Sequence, residues 1–304
     1  MNILITGAAG HIGSYLIRKL SGKIKKRSNL IFLDNFLSQR YNSIFDLNNK
    51  VKYCNLDLSN CSLKDIPESD IVIHLAAKTD AAQSATFKSE FYKNNLASTK
   101  KIISYSKKKN KLLIFASSTS VYGPQSNWVD ENCSKSELNP QSPYADIKLK
   151  EEKMIQKEIK KFLILRIGTI YGFSPGIRFH TAVNKFCFQS ATNQPLTVWK
   201  SAYNQRRPYL SLNDLCRSLA FIINNDIPLN TTYNILSNNY TVKNIVDSIK
   251  KVNKKTAIKK VENEIMNQLS YNVSNQKFSS LGFKFKSNLD TDIKETIKKL
   301  RNLK

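Results

Sequence analysis

The chain has 304 residues, room for one large domain or two small ones, and its 41% hydrophobic content and mean hydropathy of -0.39 describe a soluble globular protein. No apolar run approaches membrane-spanning length, and a first strand expected at residue 2 leaves no room for a signal peptide, so a cytoplasmic protein without a membrane partner is expected. The net charge of +25 rests on 39 lysines among 48 basic residues, spread in runs at Lys23–Lys26, Lys107–Lys111, Lys157–Lys161 and Lys250–Lys260; that is a solvated surface able to steer anions, and it argues against a dedicated nucleic-acid binder.

Read in order, Asn2–Thr6 is a short buried strand. Gly7, Gly10 and Gly13 follow in a G-x-x-G-x-x-G turn, and Tyr15, Leu16, Ile17 and Leu20 continue as a helix over Gly10–Leu20. A helix N-terminus behind a glycine turn offers unpaired N–H groups and a positive dipole end to a pyrophosphate. Asn29–Asp34 is the next apolar run. Asp34 closes it about twenty residues past the glycines, where a carboxylate accepts hydrogen bonds from an adenosine ribose and repels a 2′-phosphate. NAD is therefore the expected cofactor. The plainer reading of Asp34-Asn35 is a capped turn.

Further strands are predicted at Val51–Asn55, Ile71–Leu75, Lys111–Ala116 and Phe162–Ile167, with a helix at Asn95–Lys108. Strands alternating with helices predict an α/β fold, a doubly wound parallel sheet whose ligands lie past the strand ends. Beyond residue 170 the pattern weakens. A loop is expected at Tyr171–Gly176, helices at Thr181–Ala191, Leu212–Asn224, Val242–Lys251 and Asp290–Leu300, and strands at Leu196–Trp199 and Tyr233–Leu236. Five scattered cysteines and three histidines show no metal-site spacing, so no metal is expected.

Three pieces carry chemistry. Ser117–Ser120 places hydroxyls directly after a buried strand. Tyr144-Ala145-Asp146-Ile147-Lys148 is a Y-x-x-x-K; on a helix its ends share a face, and the ammonium favours the ionised phenol, a general base. Arg206-Arg207 could clamp a diphosphate. Singly, each also reads as ordinary surface or loop.

Together, TGAAGHIG (6–13), LDN (33–35), HLAA (74–77), NNLAST (94–99), SSTSVYG (117–123), PYADIK (143–148), LR…YG (165–172) and RRPYLSLNDL (206–215) resemble the extended short-chain dehydrogenases/reductases, the NAD-dependent epimerase/dehydratase family acting on nucleotide sugars. The resemblance implies a Rossmann domain over 1–170 and a small α/β substrate-binding lobe over 171–304, with 208–236 returning to the sheet. It implies that Gly7, Gly10, Ile12 and Gly13 hold the pyrophosphate and Asp34 and Asn35 the ribose. Asp57 and Leu58 would flank the adenine, Leu75, Ala76 and Ala77 line the cofactor, and Asn95 brace the sheet. Ser118 would bond the reacting sugar oxygen, Tyr144 act as base, and Lys148 tune it and hold the nicotinamide ribose. Thr169 and Arg207 would meet the substrate. It also implies a homodimer through helices near 95–108 and 144–160.

Several positions depart from the family pattern. Thr169 stands for an asparagine, Pro208-Tyr209-Leu210-Ser211 for Asp-Phe-x-His, and Tyr271-Asn272-Val273-Ser274 for an acidic segment. Thr119-Ser120 replaces the Asp-Glu of the dehydratases, which argues against dehydration. The expected activity is epimerisation like that of the UDP-hexose 4-epimerases. The alternatives are a nucleotide-sugar reductase or dehydrogenase with exchangeable NAD(H), or a non-catalytic member that binds RNA or a regulatory partner.

Overall fold

The computed structural model describes residues 1–25, 28–47, 51–125, 128–262 and 270–302. Lys26, within the first lysine run, lies outside the described residues.

Strand β1 (Asn2–Thr6) leads through the glycine turn into α1 (His11–Lys19), and β2 (Asn29–Asp34) returns parallel to β1. Next come β3 (Lys52–Asn55), β4 (Ile71–His74), α2 (Ala81–Thr86), α3 (Lys88–Lys109), β5 (Leu112–Ser118), β6 (Trp128–Val129), α4 (Pro143–Glu158) and β7 (Phe162–Ile167). The rest runs β8 (Thr169–Tyr171), α5 (Ala182–Ala191), β9 (Leu196–Trp199), β10 (Arg206–Ser211), α6 (Leu212–Asn224), β11 (Thr231–Ile235), β12 (Asn238–Thr241), α7 (Val242–Val252), β13 (Ile258–Val261), β14 (Asn272–Val273), α8 (Gln276–Ser279) and α9 (Leu289–Arg301).

Seven strands form one sheet in the order β11-β7-β5-β4-β1-β2-β3, every pairing parallel. Its central strands are continuous apolar runs because both faces are covered: Ile3, Leu4 and Ile5 are all fully buried. One face packs on α1 and α6 through Leu16, Leu215 and Leu219, the other on α3 and α4 through Ile102, Ile103 and Ile155. Connections run outward in opposite directions from β1 and β4. Their carboxyl ends therefore flank the crevice where an α/β sheet takes its ligand. This is the expected doubly wound architecture.

The smaller lobe centres on the sheet β12-β10-β8, with α5, α7 and α9 packed around Tyr171, Phe186, Ile245 and Ile293. Strand β11 leaves the lobe to pair with β7, so the chain after residue 170 re-enters the large sheet. Two expectations change here. The long helix expected at Asn95 begins at Lys88: its first two turns are polar apart from the buried Phe91, and packing rather than periodicity holds them. The expected Tyr171–Gly176 loop loses its first residue to β8, because Tyr171 pairs with Ser211 of β10. Among the described residues no helix is long and apolar enough to cross a membrane.

Candidate active site

A cavity of about 1020 Å³ opens at the carboxyl ends of β1, β2, β4, β5 and β7. The glycine turn forms its floor. Gly7 has a φ of +66°, and a Cβ there would lie 2.7 Å from the Ala76 nitrogen, so a side chain would push β1 away from the chain leaving β4. Helix α1 starts at His11 with Gly10 as N-cap, no side chain capping it and no acidic residue in its first turn. Its first amides border the cavity beside Gly10, Ile12 and Gly13. An uncapped helix end reached only across glycine suits a pyrophosphate.

Asp34 makes the capped turn and also reaches the cavity wall. Its Oδ1 accepts the Phe36 N–H at 2.8 Å, closing its own turn, and its Oδ2 accepts the Ala9 N–H at 2.9 Å, tying β2 to the glycine turn. It still lines the cavity. Asn35 also lines it, while its Oδ1 accepts the Leu37 N–H at 3.2 Å. Leu58, Leu75, Ala76 and Ala77 complete this wall. Asp57 lies outside the lining, and its Oδ1 accepts the Ser59 N–H and hydroxyl, at 2.8 and 2.7 Å. Buried Asn95 is also outside it; it accepts the Lys78 N–H at 2.8 Å and donates to the Lys78 carbonyl at 3.0 Å, bracing the segment after β4.

The hydroxyl cluster and the Tyr–Lys pair meet at the cavity's centre. Ser142 caps α4 by accepting the Ala145 N–H at 3.2 Å, and Pro143 fixes its first turn, which sets Tyr144 at the cavity wall. Ser118 lines the cavity beside Tyr144, close enough to act on its phenol, and lies 2.8 Å from Ser120, oxygen to oxygen. Burial pushes Tyr144 above the usual tyrosine range; the charges of Lys148 and Arg178 and the nearby Ser118 hydroxyl oppose that, and Glu151 adds to it. The expected pull from Lys148 is present, but burial outweighs it. Lys148 sits one turn below, 3% exposed, with its Nζ 4.4 Å from the Phe115 ring centre.

Thr169 and Arg207 line the far end with Tyr209, Tyr271 and Trp199. Thr119 and Tyr271 approach to 3.5 Å, joining the two ends of this wall.

Arg40, Arg178 and His180 also line the cavity, and the sequence assigned them no role there. The last two ride on a strap after β8. Buried neutral His11 donates through Nε2 to the Gly172 carbonyl at 2.7 Å, and the Ser14 hydroxyl accepts the Gly176 N–H at 3.0 Å. Ser174 donates to the His11 carbonyl at 2.8 Å. Gly176 lies so close that a Cβ would sit 2.4 Å from the Ala9 oxygen. Asn184 accepts the Gly172 N–H and donates to the Arg178 carbonyl, both at 3.1 Å. Arg178 donates to Thr79, its buried Nε is unpartnered, and burial beside Arg40 lowers its pKa to about 10. Among the described residues no carboxylate forms an ion pair with this guanidinium, and Asp80 acts on it only from a distance, so facing the cavity it suits an anion. One signal was legible: in a lysine-rich chain, an arginine two residues past a loop glycine is out of pattern.

A glycine turn under an uncapped helix, facing a half-buried tyrosine with a buried lysine one turn below, defines a dinucleotide-dependent enzyme site. The chain belongs to the NAD dependent epimerase/dehydratase family, whose pattern matches residues 3–235, and NAD is its cofactor. It is 28% identical over 249 residues to an uncharacterized UDP-glucose epimerase of Bacillus subtilis, covering 77% of this chain and 76% of that one. It is 29% identical over 269 residues to a dTDP-D-glucose 4,6-dehydratase of Dictyostelium discoideum, covering 77% of this chain and 57% of that longer one. Its fold superposes on the Bacillus cereus UDP-glucuronic acid 4-epimerase, solved with UDP-glucuronic acid and NAD, with a TM-score of 0.85 at 24% identity over 100% of both chains.

Proposed function

We propose that this protein epimerises a nucleoside-diphosphate sugar at a ring carbinol, a 4-epimerase passing through a transient keto-sugar. The observation that carries the reading is the wall beside Ser118. Thr119 and Ser120 stand there, and the described carboxylates lining the cavity are Asp34, Asp80 and Glu90. Asp34 belongs to the glycine-turn end, and Asp80 caps α2. The hydroxyl wall can orient a sugar but offers no acid to expel water from it, which disfavours dehydration.

In this reading Tyr144 Oη takes the proton of the sugar hydroxyl while Ser118 holds that oxygen. Bound NAD supplies the hydride acceptor. Lys148 supports Tyr144 from below. Gly7, Gly10, Ile12, Gly13, Asp34 and Asn35 hold the cofactor's diphosphate and ribose, and Leu58, Leu75, Ala76 and Ala77 pack against it. Thr169 meets the sugar and Arg207 the nucleotide phosphate, whose binding energy retains the intermediate while it turns over. We also place a homodimer contact on α3 and α4. The exposed Lys93, Lys100, Lys150, Lys153 and Lys157 on those helices make it salt-dependent, a property sedimentation across ionic strength would read.

The test is incubation of the purified protein with UDP-glucose, UDP-galactose and UDP-glucuronic acid, without added cofactor. Interconversion of C4 epimers with no net change at the NADH band supports the reading. Net NADH formation or loss would turn it into a reductase or dehydrogenase. No turnover of any nucleotide sugar would overturn it.

A further inference from the structure

Beneath the Tyr–Lys pair runs a line of buried polar groups that crosses the sheet. Thr6 Oγ1 accepts the N–H groups of Leu75 and Ala76, each at 3.2 Å, so its proton goes to His74 Nδ1 at 2.7 Å. His74, fully enclosed and neutral with a pKa near 3, must then carry its proton on Nε2, which faces Thr99 Oγ1 at 3.2 Å. The Thr99 hydroxyl donates onward to Glu151 Oε1 at 2.5 Å. Every donor in the line points the same way, toward Glu151. The other carboxylate oxygen, Oε2, lies 3.1 Å from Lys148 Nζ, off the line of a hydrogen bond. Glu151 is 0% exposed.

This arrangement needs explaining because Glu151 is costly. A carboxylate without water is kept only if something holds it ionised and something shares its charge. The neighbouring Glu152 is fully used by Arg166 and Ser117, so it cannot be that partner's substitute. The line of donors ends on Glu151 Oε1, and Lys148 is the cation against its Oε2. Its other end is the backbone of Leu75 and Ala76, the segment a Gly7 side chain would strike.

We propose that Glu151 is a positioning residue for the base: it holds Lys148 one turn below Tyr144 and draws off part of the ammonium's pull on the phenol. The consequence is a site whose tyrosine ionises at higher pH than the Y-x-x-x-K motif alone would give. The other charged or titratable groups facing this cluster are His74 from β4, Arg166 from β7, Arg178 from the strap, Tyr92 from α3, and Asp146, Lys150 and Glu152 on α4 itself. Asp146 is engaged by Tyr92 and Lys150, and Glu152 by Arg166, which leaves Glu151 as the anion against Lys148 among the described residues.

The inference rests on the epimerase reading for its meaning, and its test separates the two. Glu151→Gln keeps the shape and the Thr99 bond but removes the charge. Ultraviolet difference titration of the purified protein against its Tyr144→Phe variant, repeated in the Glu151→Gln background, reads ionisation of that one phenol whether or not a sugar turns over. The expected result is a shift of that curve to lower pH by about one unit, with the alkaline-requiring limb of kcat moving the same way. Glu151→Asp should restore most of the original position. A titration that moves in a protein inert to every nucleotide sugar would leave this inference standing and remove the epimerase. Turnover that drops equally at all pH values with an unmoved titration would mean that Glu151 only fills space, and would overturn it.

Discussion

Arg166 grips Glu152 with both arms, Nε to Oε1 at 3.0 Å and Nη2 to Oε2 at 2.7 Å, in a pocket where the side chains are 7% and 2% exposed. The guanidinium also lies 4.9 Å from the centre of the Tyr122 ring. This pair fastens α4, which carries Tyr144 and Lys148, to β7. Removing one partner strands a buried charge. Glu152→Ala should cost about 3–5 kcal/mol in a urea unfolding curve, and Glu152→Leu combined with Arg166→Met should cost less than the single change.

Tyr144→Phe should cut turnover by about a hundredfold to ten-thousandfold, the usual worth of a placed proton acceptor, with little change in melting temperature. Because burial raises the phenol above its ordinary range, the parent's kcat should climb with pH through the neutral and mildly alkaline region. A flat profile in stopped assays would remove Tyr144 as the base.

Arg178 has a buried Nε with no hydrogen-bond partner and a like-charged neighbour in Arg40. Arg178→Leu should weaken binding of an anionic ligand by about tenfold or more, the value of one charge-assisted hydrogen bond. Calorimetry with UDP and with NAD, run separately, tells which of the two it meets. Unchanged affinity for both would assign it to holding Thr79 alone.

Asp292 on α9 accepts the Tyr171 hydroxyl at 3.0 Å, and burial with Asp214 nearby raises its pKa from 3.8 to about 6. The folded state thus binds this proton more tightly than the unfolded chain. Its stabilising contribution is complete below about pH 4 and lost as pH rises through 6. Asp292→Asn should therefore gain stability relative to the parent at pH 7 compared with pH 4.5, read as the difference in melting temperature. An equal gap at both values would refute it.

What the sequence made legible follows its periodicities. Leu30–Leu33 and Phe162–Ile167 announce themselves because strands covered on both faces are unbroken apolar runs. The Ser118, Tyr144 and Lys148 set was legible because two of its members share one helix at fixed spacing. The small sheet was not. Strand β10 contains Arg206, Arg207 and Pro208, and β8 is three residues long, so neither carries an alternating pattern; each exists because the other is beside it. Arg40 and His180 were hidden, and Arg178 left only its out-of-pattern arginine, for a related reason: loops bring them in, and loop geometry has no period. Glu151 was within reach, three residues past Lys148, but its burial depends on Thr99 and His74, which the chain supplies from far upstream.

The strap from Gly172 to Gly176 has one more implication. Main chain lies against main chain there, with Gly176 on the carbonyls of Ala9 and Gly10, and not even a methyl group would fit between them. The strap that carries Arg178 and His180 to the cavity is therefore pinned to the glycine turn by backbone alone, so a shift of one drags the other, and those two side chains keep their distance from the turn.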